Sequence, residues 1–184
     1  MLYITVGVPG SGKSTYSKRL RDLNYGVTIL CPDEYRWELT GTWWHPPIED
    51  QVWAQVKTTA RVLLNTGHDV IIDATALTVH RRREWIEIAK RCDQYITAMV
   101  FLVPKETIRE RNRSEDRLER GKEVSGDVLR RQFSQFTVPT LEEGFREIHI
   151  IGENNDVVEI VDGCDMESCT RYREHANSLY YVNN

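Results

Sequence analysis

The run Gly7-Val8-Pro9-Gly10-Ser11-Gly12-Lys13-Ser14-Thr15 places two glycines, a lysine and two hydroxyls at the spacing G-x-x-x-x-G-K-[ST]. It follows a short apolar run and precedes a helix-forming one, the context in which such a loop wraps a polyphosphate. Glycines let consecutive N–H groups converge on the ligand, and the helix N-terminus adds its partial positive charge. In this reading Gly7, Pro9, Gly10, Ser11 and Gly12 form the cradle and Lys13 reaches the β- and γ-phosphates as a point charge. Ser14 ligates Mg²⁺ and Thr15 supports it. The chemistry implied is nucleoside triphosphate binding.

A second carboxylate is needed at such a site, and "HDVIIDAT" supplies Asp73 at the end of an apolar run, where ligands collect in open α/β sheets. Asp73 would orient the Mg²⁺ shell or hydrogen-bond Ser14, with Thr75 beside it; the bland alternative is a cap on the following helix, a task Thr75 or Thr78 would share. "CPDEYRWELTGTWWHPP", Cys31 to Pro47, adds Asp33 and Arg36 just beyond another apolar run. A carboxylate at the C-terminal end of a strand neighbouring the phosphate-loop strand faces the γ-phosphate and suits a general base; Asp33 is equally placed to cap a helix over "EYRWEL". Trp43 and Trp44 offer faces on which unpaired bases stack, or a packing corner against the helix that begins near Pro47.

"RERNRSEDRLERGKE" concentrates arginines after a further apolar run. A basic lid excludes water and sets positive charge on a transferring phosphoryl group. Arg111, Arg113, Arg117 and Arg120 are its candidates, with Arg111 assigned to the nucleotide; a solvated helix with i,i+4 pairs is the competing reading. No NKxD-like base-recognition sequence of a GTPase occurs.

These residues require elements to hold them. "LYITVGV", "GVTILC", "DVIIDAT" and "YITAMVFLV" read as buried strands, each followed by a helical pattern. The first helix, from the phosphate loop to Asn24, turns Leu20 and Leu23 inward. A short helix over "DEYRWELT" stops at Gly41, and a longer one carries Val52, Val56, Ala60, Leu63 and Leu64 at helical spacing to Gly67. "KETIRERNRSEDRLERG" is a helix running into a charged turn. "REIHIIGENNDVVEIVDG" alternates on both sides of Glu153-Asn154-Asn155-Asp156, as an antiparallel hairpin at a sheet edge does, and a last helix starts near Met166. Strand and helix alternate through residue 138, so the fold class is α/β: a phosphate-loop kinase fold with a mostly parallel sheet flanked by helices. The expected organisation is one domain over residues 1–184, with a lid at about 111–124 and a C-terminal hairpin and tail at about 145–184.

Composition agrees with a soluble globular protein: 40% hydrophobic and 28% charged residues. A net charge of -4 excludes a uniformly basic nucleic-acid binder, so any basic footprint is local, and Arg109 to Arg131 is the densest stretch. Cys31, Cys92, Cys164 and Cys169 form neither a CxxC pair nor a metal-ligand spacing and read as buried reduced thiols. Neither a leader segment nor a membrane-length apolar run is present, which gives a cytoplasmic expectation without a membrane partner.

Four segments together resemble the 5′-hydroxyl polynucleotide kinase family across residues 1 to about 137: "GVPGSGKSTY", "PDEYR", "DATALTVHRRREW" and "RERN…RG…V…VLRRQF". The resemblance implies transfer of the γ-phosphate of ATP, with Mg²⁺, to a DNA or RNA 5′-OH. It places the general base on Asp33, the grip on an acceptor phosphate on Arg36, and the lid arginine on Arg120 or Arg117. The sequence departs from the family in a longer Asn112–Gly121 spacing and in Glu34 next to Asp33. A hydroxyl on a modified base in DNA is the rival acceptor, since the tryptophans would suit an extruded base. A small-molecule acceptor and a non-catalytic nucleotide-binding module are the remaining readings; no DxDxT phosphatase signature accompanies them.

Overall fold

A computed structural model describes residues 1–23, 26–163 and 166–180. Its centre is a six-stranded sheet made of β1 (Leu2–Val6), β2 (Val27–Leu30), β3 (Asp69–Ile72), β4 (Ile96–Phe101), β5 (Glu147–Ile151) and β6 (Val157–Val161), in the order β2-β3-β1-β4-β5-β6. All neighbouring pairs are parallel except β5 and β6, which form the expected antiparallel edge hairpin. β4 is buried at every position, the consequence of helices on both faces. One sequence expectation fails here. β3 lies between β2 and β1, so the strand that leads to Asp33 does not neighbour the phosphate-loop strand.

On one face, α1 (Lys13–Leu23) packs Tyr16 against Val27, Ile71, Met99 and Phe101, with Tyr16 edge-on to Phe101 at 5.7 Å. Leu20 joins this face, but Leu23 is 74% exposed: Tyr16, Ser17 and Leu20 already fill the inner stripe, and Leu23 falls on the helix's last residue. The larger core lies on the other face. There α3 (Glu49–Asn65) buries Val52, Val56, Ala60 and Leu64, and α4 (Val79–Arg91) buries Trp85, Ile86, Ile88 and Ala89. Leu129 and Phe133 of α7 (Gly126–Gln135) and Tyr172 and Ala176 of α8 (Met166–Tyr180) complete it. The 17 residues of α3 show a stripe at i, i+4, i+8 and i+12, so the sheet, rather than helix propensity, holds this helix in place.

Arg82 of α4 is wholly buried and every donor group is used. It forms a two-pronged pair with Glu143, at 2.7 and 2.8 Å, and donates to the carbonyls of Ala76, Leu77 and Thr137. This clamp fixes the β3–α4 loop, where Ala76 holds a left-handed φ of 40°. A buried charge is tolerated only when paired and hydrogen-bonded in this way. Beyond β4 the chain forms two helices, α5 (Lys105–Asn112) and α6 (Glu115–Glu119), with a break at Arg113–Ser114 in place of one continuous helix. Between α2 (Pro32–Thr40) and α3, residues Pro46–Ile48 make a single 3₁₀ turn. Cys31 is buried and free, while Cys92 and Cys169 are free and half-buried against the core; Cys164 lies outside the described residues.

Candidate active site

The phosphate loop leaves β1 at Gly7, whose N–H donates to Thr75 O at 3.0 Å. Thr5 Oγ1 bonds Ala74 O at 2.7 Å and accepts from Ala74 N, so the loop after β3 is sewn to the start of the phosphate loop. Gly10 and Gly12 take φ of 85° and 100°, a region that disfavours side chains. At Gly12 a Cβ would also meet Asn155 Oδ1 at 2.5 Å. The β5–β6 turn therefore closes one side of the cradle, with Arg111 Nη2 donating to Glu153 O at 2.8 Å. Ser11 Oγ and Asn155 Oδ1 are buried without hydrogen-bond partners in this cradle.

Lys13 is 9% exposed, and its ammonium donates to Val8 O at 2.8 Å. Burial pulls its pKa down to about 8, opposed by Asp73 and Asp33 and assisted by Arg117. Asp73 is buried as well; burial raises its pKa, while the Ser14 hydroxyl and Lys13 act in the other direction. The cap of α4 is Thr78, which accepts from Arg81 N, so Asp73 is free of that task. Ser14 and Thr15 are exposed at the first turn of α1, and Thr75 is half-buried.

Asp33 is not a helix cap either. α2 begins at Pro32 with Cys31 at its cap, so Asp33 sits inside the first turn, its carboxylate 60% exposed. Arg36, one turn on and 5% exposed, holds Asp33 through Nη1 and grips Glu49 with Nε and Nη2, the latter at 2.9 Å. Glu49 opens α3 and its part in the site was not foreseen; its only sequence signal is an acid in a helix's first turn. The two-pronged pair presets the guanidinium plane. Burial also pushes the neighbouring Cys31 thiol up to about 12, so it stays protonated and inert.

The two lid candidates part company. Arg117 is half-buried: its charge influences Lys13 and is influenced by Asp33, and its Nε is buried without a partner. Burial lowers its pKa. Arg120 points outward and pairs with Asp116 at 2.7 Å, both about two-thirds exposed. Asn112 closes the neck of this segment, donating to Val124 O at 2.7 Å and accepting from Val124 N at 3.1 Å.

Trp43 packs elsewhere than on the helix that begins near Pro47, while Trp44 stays open. Trp43 stacks on Trp37 of α2 at 4.4 Å, and the Lys122 ammonium covers its ring at 3.6 Å. Its indole N–H donates to Arg120 O at 2.8 Å. Both faces are thus occupied, and the ring latches the arginine-rich segment to α2. Trp44 is 67% exposed. Lys13, Asp73, Asp33 and Arg117 come together at the C-terminal edge of the sheet, where an arrangement of this kind binds and polarises a polyphosphate.

A family model for the AAA domain called AAA_33 matches residues 2–139. The chain belongs to that family. The match takes in the phosphate loop, both acidic motifs and the arginine-rich segment. A relative, the L-seryl-tRNA(Sec) kinase of Methanococcus maripaludis, is 27% identical over 143 residues, covering 76% of this chain and 53% of its own. The chain thus spans about half the length of that curated relative. Among solved structures, one of the Pnkp1/Rnl/Hen1 complex matches 62% of this chain and 39% of the chain compared, at 27% identity and a TM-score of 0.57. A putative kinase from Chloroflexus aurantiacus covers 97% of this chain and 96% of its own, at 19% identity and a TM-score of 0.66, a likeness of fold. The AAA_33 chain thus has the P-loop kinase fold with a nucleotide-binding loop. Among the described residues no helix is long and apolar enough to cross a membrane.

Proposed function

We propose that this protein transfers the γ-phosphate of ATP to a hydroxyl of a nucleic acid, most directly the 5′-OH end of DNA or RNA. The observation that carries the reading is the position of Asp33: an accessible carboxylate held by Arg36, within electrostatic reach of Lys13 and Arg117. Phosphoryl transfer needs positioning and charge more than covalent help from the protein. Lys13 and the loop N–H groups hold the β- and γ-phosphates. Asp33 accepts the acceptor's hydroxyl proton as that oxygen bonds to the γ-phosphorus and the bond to the β-phosphate oxygen breaks, releasing ADP. Arg117 places its charge on the transferring oxygens. The Ser14 hydroxyl and Asp73 carboxylate offer the two oxygen donors that suit Mg²⁺ completed by phosphate and water, and the ion would neutralise charge on the phosphates.

A nucleic-acid acceptor is supported by the relative that bears a tRNA acceptor in its name and by the four matching motifs. Arg36 retains two N–H groups beyond its three bonds to Asp33 and Glu49, enough to meet one phosphate oxygen of the acceptor. A hydroxymethylated base is the weaker acceptor, because Trp37 and Lys122 cover Trp43 and leave Trp44 alone of the pair open to stack on an extruded base. The whole chain, residues 1–184, would act as one kinase domain.

The test is incubation with γ-labelled ATP and four acceptors: 5′-OH DNA, 5′-OH RNA, hydroxymethylated duplex and free nucleosides. Digestion to mononucleotides then locates the label. Label at 5′ ends is expected. Label on internal bases, or on free nucleosides alone, would overturn the reading.

A further inference from the structure

Free positive charge in the fold is not confined to the densest arginine stretch of the sequence. Across the outer face of α3 and α4 runs an open groove of about 320 Å³, lined by Lys57 and Arg61 of α3 and by His80, Arg83 and Arg91 of α4. Two carboxylates also face it, and lysines hold both: Glu84 pairs with Lys57 at 3.0 Å and Glu87 with Lys90 at 3.9 Å. Arg61, Arg83 and Arg91 are exposed and make no ion pair among the described residues. Three unneutralised guanidinium groups thus share one channel on a molecule whose net charge is -4.

The groove also has a direction. α4 starts at the active-site edge of the sheet, where Thr78 caps it five residues after Asp73, and α3 starts at Glu49, which holds Arg36. His80 lies at the mouth and Arg91 at the far end, eleven residues of helix or about 16 Å away. At the 3.4 Å per nucleotide of a stacked, helical strand that length matches about four to five phosphates, and fewer of an extended strand. Separate, exposed cations along a track suit a repeated anion better than a single small one, since a compact ligand would need them convergent.

We infer that the α3–α4 groove carries the phosphodiester backbone of the acceptor strand away from the reacting hydroxyl. This rests on the nucleic-acid reading above and adds to it a path and a length dependence. Contacts of this kind set affinity and register and carry no sequence preference.

The test compares kcat/KM for a 5′-OH trinucleotide and a 5′-OH 12-mer with the full chain and with Arg61→Glu/Arg83→Glu. Direct binding of the 12-mer is followed by fluorescence anisotropy from 50 to 300 mM salt. The groove predicts a long-to-short ratio lowered about tenfold or more and a salt slope shallower by about 1.4, two single-strand contacts at 0.7 each. Arg130→Glu/Arg173→Glu makes the same charge change elsewhere and is expected to leave the ratio within about twofold. An unchanged ratio and slope in the groove variant, with both acceptors still phosphorylated, would remove the groove and leave the acceptor reading standing. Absence of transfer to either oligonucleotide by the native chain would remove the acceptor reading itself. Polyglutamate bound as tightly as the 12-mer would also overturn the assignment to nucleic acid.

Discussion

The arginine-rich segment from Arg109 to Arg131 pairs three of its arginines with acids, whereas the α3–α4 groove pairs none of Arg61, Arg83 and Arg91. In the first, Arg109, Arg120 and Arg130 each pair with an acid of their own helix three or four residues away and Arg111 bonds the Glu153 carbonyl, while Arg113 and Arg131 are exposed with no ion pair among the described residues. Arg117 differs: it is half-buried, within electrostatic reach of Asp33 and Lys13, and its Nη2 donates to Lys122 O at 2.5 Å. In the groove, lysines neutralise the acids and leave three arginines open. Density along the chain measures how many charges are made, while neighbours one helical turn away decide how many remain to act on a ligand. On the proposed reading, one placed arginine serves chemistry and several unpaired ones serve attachment.

The comparison breaks most visibly at Arg117. Arg117→Ala should lower single-turnover transfer by about 10³-fold, the scale of a charge supplied to a transferring phosphoryl group. Arg120→Ala should change it less than about threefold, because its partner Asp116 is solvent-exposed. Equal losses from the two would dissolve the distinction between placed and paired charge.

Next comes Glu49→Gln, which leaves a buried guanidinium with a weakened partner. A loss of about 3 kcal/mol in urea unfolding is expected, the scale of a broken buried pair. Transfer should fall as well, because Arg36 would no longer be fixed against Asp33. Stability unchanged to within about 0.5 kcal/mol would show that Glu49 is incidental.

Lys13 gives a pH signature. Its pKa is held down to about 8 without ligand, and bound phosphates favour its charged form. Nucleotide binding above pH 8 should therefore take up a proton, and affinity should fall as pH rises through that value and be flat below pH 7. Calorimetry in two buffers of different ionisation enthalpy at pH 8.5 reads the uptake directly; no buffer dependence would contradict it.

The smallest effect concerns the latch. Trp43→Leu removes the stack on Trp37, the Lys122 contact and the bond to Arg120 O, together about 1–2 kcal/mol. Proteolysis within residues 113–123 should quicken with nucleotide affinity nearly unchanged. Resistance equal to the native chain would place the hold on this segment at Asn112 instead.

Much of this architecture was legible because it is local. The phosphate loop, the end of β3 at Asp73, the stop of α2 at Gly41 and the edge hairpin all follow from short patterns of glycine, apolar runs and turn residues. The site's missing members are products of long-range packing. Glu49 meets Arg36 across thirteen residues, Asn155 closes on Gly12 from the β5–β6 turn two strands away from β1, and Arg82 meets Glu143 across sixty-one. None leaves a periodic trace. Strand order misled for the same reason: sequence order set β2 beside β1, but β3 pairs with both and lies between them, a long-range pairing that no local pattern marks. The tryptophans were ambiguous because an aromatic pair looks alike whether it faces a base or another ring.

The central claim is that Asp33 takes the acceptor proton opposite Lys13 and Arg117. Single-turnover transfer by Asp33→Asn, measured beside its nucleotide affinity, tests it most directly. Transfer to a 5′-OH oligonucleotide should fall by about 10²- to 10⁴-fold, the range for a general base, with nucleotide affinity within about threefold of the native chain. Transfer retained within tenfold would contradict the account.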